Sequence, residues 1–172
     1  MSEPNDLPHD LYDLQTLHER PGFMIRRAHQ IAQSLFLEQT GGITPTQYGV
    51  MCILEARPDL DQIGVAKLLG QDRSTAALVI GKLTDDGLVE RRDAIYDRRC
   101  KTLSLTPRGH AVLAQIGEPV RRSHDKLLSV FEPEEAAQFL TLLHKFVSAF
   151  NTVSRTPLDI EPSKRNGRRA KS

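Results

Sequence analysis

Residues 91–101 hold five bases, Arg91, Arg92, Arg98, Arg99 and Lys101, against the two acids Asp93 and Asp97. A polyanion responds to such a local patch rather than to total charge, because screening limits electrostatic reach to about 8–10 Å at physiological salt. The total is nearly neutral, with 23 Lys and Arg against 22 Asp and Glu, and the first twenty residues lean the other way, five acids to the single base Arg20. Covalent and metal chemistry find less support. The six histidines (His9, His18, His29, His110, His124, His144) lack the paired spacing of a zinc site. No phosphate-binding glycine loop, nucleophile elbow or zinc-hydrolase signature is present. Neither an enzyme nor a cofactor or metal site is expected. Of the two cysteines, Cys52 falls on a mostly buried helix and reads as packing, while Cys100 lies among cations that favour a thiolate.

The basic cluster needs a frame to hold it. Two short alternating runs, 88–92 and 101–105, flank the charged tip and predict a hairpin. Before them, Thr44-Pro45-Thr46-Gln47 starts a helix: threonine caps, proline suits the first turn, and Gln47 returns the bond. Asp61 caps a short helix closed by Gly70, and Asp72 caps another with Ala76, Val79, Ile80 and Leu83 on its inner face. Three short helices joined by tight turns predict a helix-turn-helix. Pro21 and Gly22 interrupt any helix begun near Tyr12, and a new one fits residues 23–39. Thr106-Pro107 opens a helix of about two dozen residues, facing inward with Val112, Ile116, Val120, Leu127 and Phe131. Pro133 starts the last helix, whose Phe139, Leu143, Phe146, Phe150 and Val153 form a heptad seam widened by Leu140, Leu142 and Val147.

At 172 residues, with 39% hydrophobic and 26% charged residues, the chain suits one domain with tails. Residues 1–11 read as a flexible arm, 12–155 as the folded domain and 156–172 as a basic disordered tail. Helices within about 12–40 and 107–154 exceed what the central module, about 44–106, can cover, so a homodimer is expected. No apolar run approaches the roughly 20 residues of a membrane helix. The polar, acidic N-terminus speaks against a signal or transit peptide, which makes the cytoplasm the expected location. The fold class is therefore mainly α with a small β-hairpin, a winged helix-turn-helix with N- and C-terminal dimerisation helices.

Several motifs in fixed order resemble the MarR family of bacterial transcriptional regulators. They are Asp72-Arg73-Ser74-Thr75, Leu83, Gly87-Leu88-Val89-Glu90-Arg91-Arg92, Asp97-Arg98-Arg99 and Leu105-Thr106-Pro107-Arg108-Gly109, within a resemblance spanning residues 21–150. Arg20-Pro21-Gly22-Phe23 and Arg26-Arg27-Ala28-His29 are similar to regulators of aromatic-acid catabolism, including nicotinate breakdown. The resemblance implies a repressor that binds a pseudo-palindromic operator in double-stranded DNA and is released by a small aromatic acid such as a hydroxynicotinate or phenolic acid.

From the residues themselves, the helix at 72–86 presents Arg73, Ser74, Ala77, Leu78, Gly81 and Lys82 off its buried face. Arg73 can grip a guanine edge or a phosphate, Ser74 and Thr75 can reach either, and Ala77 and Leu78 can touch a thymine methyl. For Leu78 the alternative is packing on a neighbouring helix. Lys82 suits backbone phosphate. Arg98 would enter the minor groove from the wing tip, and Asp97 with Arg99 resembles the family's wing motif, in which the acid orients an arginine. The basic tail either adds salt-sensitive DNA affinity or only solubilises the chain. The family's ligand cleft implies an aromatic wall and a cation for the carboxylate, which Phe23, Tyr48 and Met51, and Arg20, Arg27 and His29, can supply. Phe23 and Met51 at helical spacing more often belong to a core. Two other readings remain open: a thiol-based redox-sensing regulator, and a protein-interaction scaffold.

Overall fold

The computed structural model describes residues 14–93 and 101–158. The arm at 1–11, the wing residues Asp97, Arg98, Arg99 and Cys100, and the tail beyond 158 lie outside the described residues. In chain order the elements are α1 (Leu14–Glu19), α2 (Pro21–Thr40), α3 (Pro45–Ala56), β1 (Leu60–Asp61), α4 (Gln62–Leu69), α5 (Arg73–Asp85), β2 (Val89–Asp93), β3 (Lys101–Leu105), α6 (Pro107–Leu128) and α7 (Pro133–Phe150), followed by a short 3-10 turn, Asn151–Val153.

Helix boundaries follow their capping chemistry. Thr44 accepts from the Gln47 N–H at 3.1 Å while the Gln47 side chain accepts from the Thr44 N–H at 2.8 Å, closing a capping box ahead of Pro45. Asp61 accepts from the Gly64 N–H at 2.7 Å, and α4 stops at Gly70, whose φ of 64° is the left-handed conformation that ends helices. Glu132 and Glu135 form a second box at the start of α7, so these acids bond the backbone as well as complementing the dipole. Pro21 occupies the first turn of α2 and therefore opens this helix, which begins two residues earlier than its apolar pattern suggests.

The three antiparallel strands run in the order β1-β3-β2, with Leu60 opposite Leu103 and Val89 opposite Leu105. The pattern predicts only the hairpin. At two residues β1 is too short to carry an alternation, and it is held by Asp59, whose N–H donates to the Leu103 carbonyl at 3.1 Å and whose carboxylate accepts from the Ser104 hydroxyl.

One core fills the module, built from Val50, Met51 and Leu54 of α3, Val65 and Ala66 of α4, Ala76, Ile80 and Leu83 of α5, and Leu88, Val89, Leu103 and Leu105 of the wing. Burying each large aliphatic there contributes roughly 1.5–3 kcal/mol. Helices α2 and α6 pack on one another, with Phe36 buried on the first and Ile116 and Val120 on the second. Phe131 lies beyond the end of α6 and stacks on Phe139 instead, at 5.1 Å between ring centroids. Helix α7 buries none of its side chains.

Candidate nucleic-acid interface

Helix α5 is positioned by its apolar face: Ala76, Ile80 and Leu83 are wholly enclosed, which fixes which residues face out. Its first turn is organised by Asp72. One carboxylate oxygen accepts from the Thr75 N–H at 2.9 Å and the other from the Thr75 hydroxyl at 2.7 Å. The Thr75 hydroxyl, then its N–H, holds this carboxyl below its ordinary pKa. The Thr75 hydroxyl proton is thus committed to Asp72, and only its oxygen lone pairs remain to receive a donor.

Arg73 and Ser74 are exposed beside it, at a helix terminus whose free N–H groups suit phosphate. Leu78 is 76% exposed, so within the protomer it does not pack on a neighbouring helix. Ala77 is half-buried, and among the described residues nothing beyond the helix's own backbone lies within 4 Å of where a Cβ would sit on Gly81. At the far end Lys82 pairs with Asp86 at 2.8 Å, and that contact raises the lysine pKa, keeping the ammonium charged. On the wing, Arg91 and Arg92 are exposed, the latter in contact with Glu90. The result is a helix with a capped, donor-rich end, one exposed leucine in mid-face and a lysine at its foot. Beside it stands an arginine-bearing hairpin.

The residues expected to meet an effector divide. His29 and Tyr48 line a cavity of about 330 Å³ between α2, α3 and α6, together with Gln33, Phe36, His124 and Leu127. Phe36 and Tyr48 face each other at 5.7 Å. The neighbouring Cys52 thiol, with burial, raises the Tyr48 pKa and keeps it a neutral phenol. Met51 is fully buried in the module core and does not line this cavity. Arg20, Phe23 and Arg27 lie at the start of α2 and do not line it either. Phe23 packs between His18 and the Arg26 guanidinium, each 4.9 Å away, and Arg27 donates to Gln30 at 2.9 Å. Gln33 and Phe36 were findable as the positions one and two turns beyond His29 on the same face. His124 was findable one turn beyond the inward-facing Val120.

A module of three short helices closed by a hairpin, with an exposed capped helix, defines a winged helix-turn-helix DNA-binding protein. A sequence model of the MarR family matches residues 41–99. A candidate transcriptional regulatory protein for the hcr operon of Thauera aromatica is 30% identical over 142 residues, covering 81% of this chain and 84% of the relative. The PcaV transcriptional regulator of Streptomyces coelicolor, solved with its natural ligand, superposes with a TM-score of 0.70 at 32% identity, over 77% of this chain and 95% of PcaV. BpsR of Bordetella bronchiseptica, whose DNA binding is regulated by 6-hydroxynicotinic acid, gives 0.70 at 25% identity, over 78% and 96%. The chain belongs to the MarR family and is a DNA-binding transcription regulator.

Proposed function

We propose that this protein is a homodimeric, cytoplasmic repressor. It holds an inverted-repeat operator through paired α5 helices and releases it when a small aromatic acid enters the cavity between α2, α3 and α6. The observation that carries the reading is that cavity. It is walled by Phe36, Tyr48 and Leu127, with His29, Gln33 and His124 as polar groups, and it joins the module helix α3 to the long helices α2 and α6. An aromatic ring fits the apolar walls and a carboxylate fits the imidazoles and the amide. Occupancy that favours one angle between α3 and α6 would set the angle at which α5 meets DNA, and would weaken binding by the ligand's affinity difference between the two geometries.

In this reading Arg73, Ser74, Thr75, Ala77, Leu78 and Lys82 meet the major groove and its flanking phosphates, and Asp97, Arg98 and Arg99 serve at the wing tip. The similarity to PcaV with its ligand and to BpsR supports an aromatic acid, a hydroxynicotinate or a phenolic acid, as effector. The test is a thermal-shift screen of benzoates, hydroxycinnamates and hydroxynicotinates, followed by gel shift. A true effector at a hundred times its Kd stabilises the fold by about 2.7 kcal/mol and strips the protein from its operator. The variant with Tyr48→Ala and His124→Ala should lose both responses and keep DNA binding. If it retains ligand release, the effector site lies elsewhere.

A further inference from the structure

After α7 the chain turns back onto the helix-turn-helix as a strap, residues 151–158. One side chain closes its base: the Leu158 N–H donates to Asn151 Oδ1 at 2.9 Å, and Asn151 Nδ2 donates to the Leu158 carbonyl at 3.0 Å. The amide thus uses its acceptor and a donor on a single residue, which holds the loop shut. The Thr156 hydroxyl donates to the Gly70 carbonyl at 2.7 Å, while the Gly70 N–H closes α4 on the Lys67 carbonyl at 3.2 Å. The Leu158 side chain rests on Gly70, where a Cβ would come within 2.9 Å of its Cδ2. Gly70 therefore serves twice, as the left-handed end of α4 and as the seat of this strap. Asn151, Thr156 and Leu158 are the partly buried residues of the strap, and its other residues are exposed.

Gly70, Gln71 and Asp72 form the turn that leads from α4 into α5. A gap of about 270 Å³ lies between the end of α4 (Leu69, Gly70) and the end of α7 (Phe146, Val147, Phe150), and the strap crosses it. On its other side Thr156 and Leu158 line a cavity of about 490 Å³ with Asp72 and Arg73, the cap and first residue of α5. Open space contributes no packing, so the hydrogen bonds and the Leu158 contact hold the turn at this place. We propose that Asn151, Thr156 and Leu158 are positioning residues for DNA recognition, which lock the turn before α5 to the end of α7. The proposal rests on the homodimeric reading above, in which α7 carries the apolar face that joins two copies. The strap then fixes the separation of the paired α5 helices, which an inverted repeat sets at about 34–36 Å. A helix displaced by one base pair, about 3.4 Å, loses its hydrogen bonds to the base edges.

The experiment places a nitroxide label on α5 through Leu78→Cys, in the full chain with Cys52→Ser and Cys100→Ser. Double electron–electron resonance then reads the distance between the two labels of the dimer. The intact strap should give one narrow distance. Thr156→Val, alone or with Asn151→Leu, should give a distribution at least about twice as wide, whereas Thr156→Ser keeps the hydroxyl and should stay narrow. The second readout is a duplex selected by the unlabelled parent from a random-sequence pool, then respaced by one base pair between its half-sites. Respacing should weaken parent binding at least about ten-fold and binding by the strap variants less than about three-fold. If the double variant has a lower urea midpoint than the parent, Thr156→Val alone decides. Parent-like widths and a parent-like spacing penalty in the strap variants overturn the positioning role and leave the dimer standing. Equal broadening by Thr156→Ser and Thr156→Val means that the hydroxyl bond is not the lock, and overturns it likewise. A labelled parent that sediments as a monomer and gives no distance overturns the dimer reading and the proposal with it.

Discussion

Leu78 is an exposed leucine in the middle of a helix whose opposite face is wholly enclosed. Such a residue adds nothing to protomer stability, so Leu78→Ala should leave the unfolding free energy, read by urea denaturation, within about 0.5 kcal/mol of the parent. It should lower the ratio of operator to random-sequence affinity, read by competition gel shift. Asp72 differs, because it acts on the fold itself. The fold lowers its carboxyl pKa through the bonds from Thr75, so its stabilising contribution is complete at neutral pH. It is lost as the pH falls below about 3.9 and through the depressed folded value. The melting-temperature gap between the parent and Asp72→Ala should accordingly be widest near pH 7 and close on acidification. At this scale the sequence was informative wherever a side chain bonds its own backbone neighbours, as at Thr44, Asp61 and Asp72. It left Met51 divided, since its helical position favours a core without excluding a ligand wall. Only three-dimensional packing of α3 against the wing separates the two.

Among the elements, the junction of wing and α6 is the most constrained. Thr106 donates its N–H to the Leu88 carbonyl at 3.0 Å and its hydroxyl to the Gly87 carbonyl at 2.7 Å, and its oxygen caps α6 by accepting from the Gly109 N–H at 3.0 Å. Gly109 then passes so close that a Cβ would lie 2.1 Å from the Leu88 oxygen. Alanine is ordinarily the better helix former, yet here Gly109→Ala should destabilise by about 1–3 kcal/mol, seen as a lower urea midpoint. The Leu105-Thr106-Pro107-Arg108-Gly109 motif therefore has a physical content that its letters do not display. Threonine and proline announce a helix start in any sequence. The need for glycine arises from Leu88, twenty-one positions earlier, and no local pattern reveals it. Strand β1 escaped the pattern for a related reason, since its pairing with β3 is long-range and two residues have no period.

For the whole molecule, α7 sets the terms. Phe139, Leu140, Leu142, Leu143, Phe146, Val147 and Phe150 are each between 37% and 56% exposed, and α2 leaves Met24, Ile25 and Ile31 similarly bare. Covering the open half of one such side chain contributes about 1 kcal/mol, so the set favours association with a second copy. Leu143→Glu combined with Phe146→Glu should shift the sedimentation coefficient to that of a monomer. Operator affinity should fall with it, because one α5 helix then faces one half-site. The heptad spacing made this face legible from the sequence, while the strap that follows it was not. Asn151, Thr156 and Leu158 have no periodicity, and Gly70, the partner of Thr156 and Leu158, lies more than eighty positions away.

The clasp at Thr106 has a mechanical corollary. It leaves no slack between the hairpin and a helix of 22 residues, which is about 33 Å long. A tilt of about 5° imposed at the distal end of that rod displaces the opposite end by about 3 Å. The hairpin must swing with it as one stiff arm, so in the proposed dimer a small adjustment between subunits moves each hairpin by about the length of one hydrogen bond, enough to break its contacts with the nucleic acid.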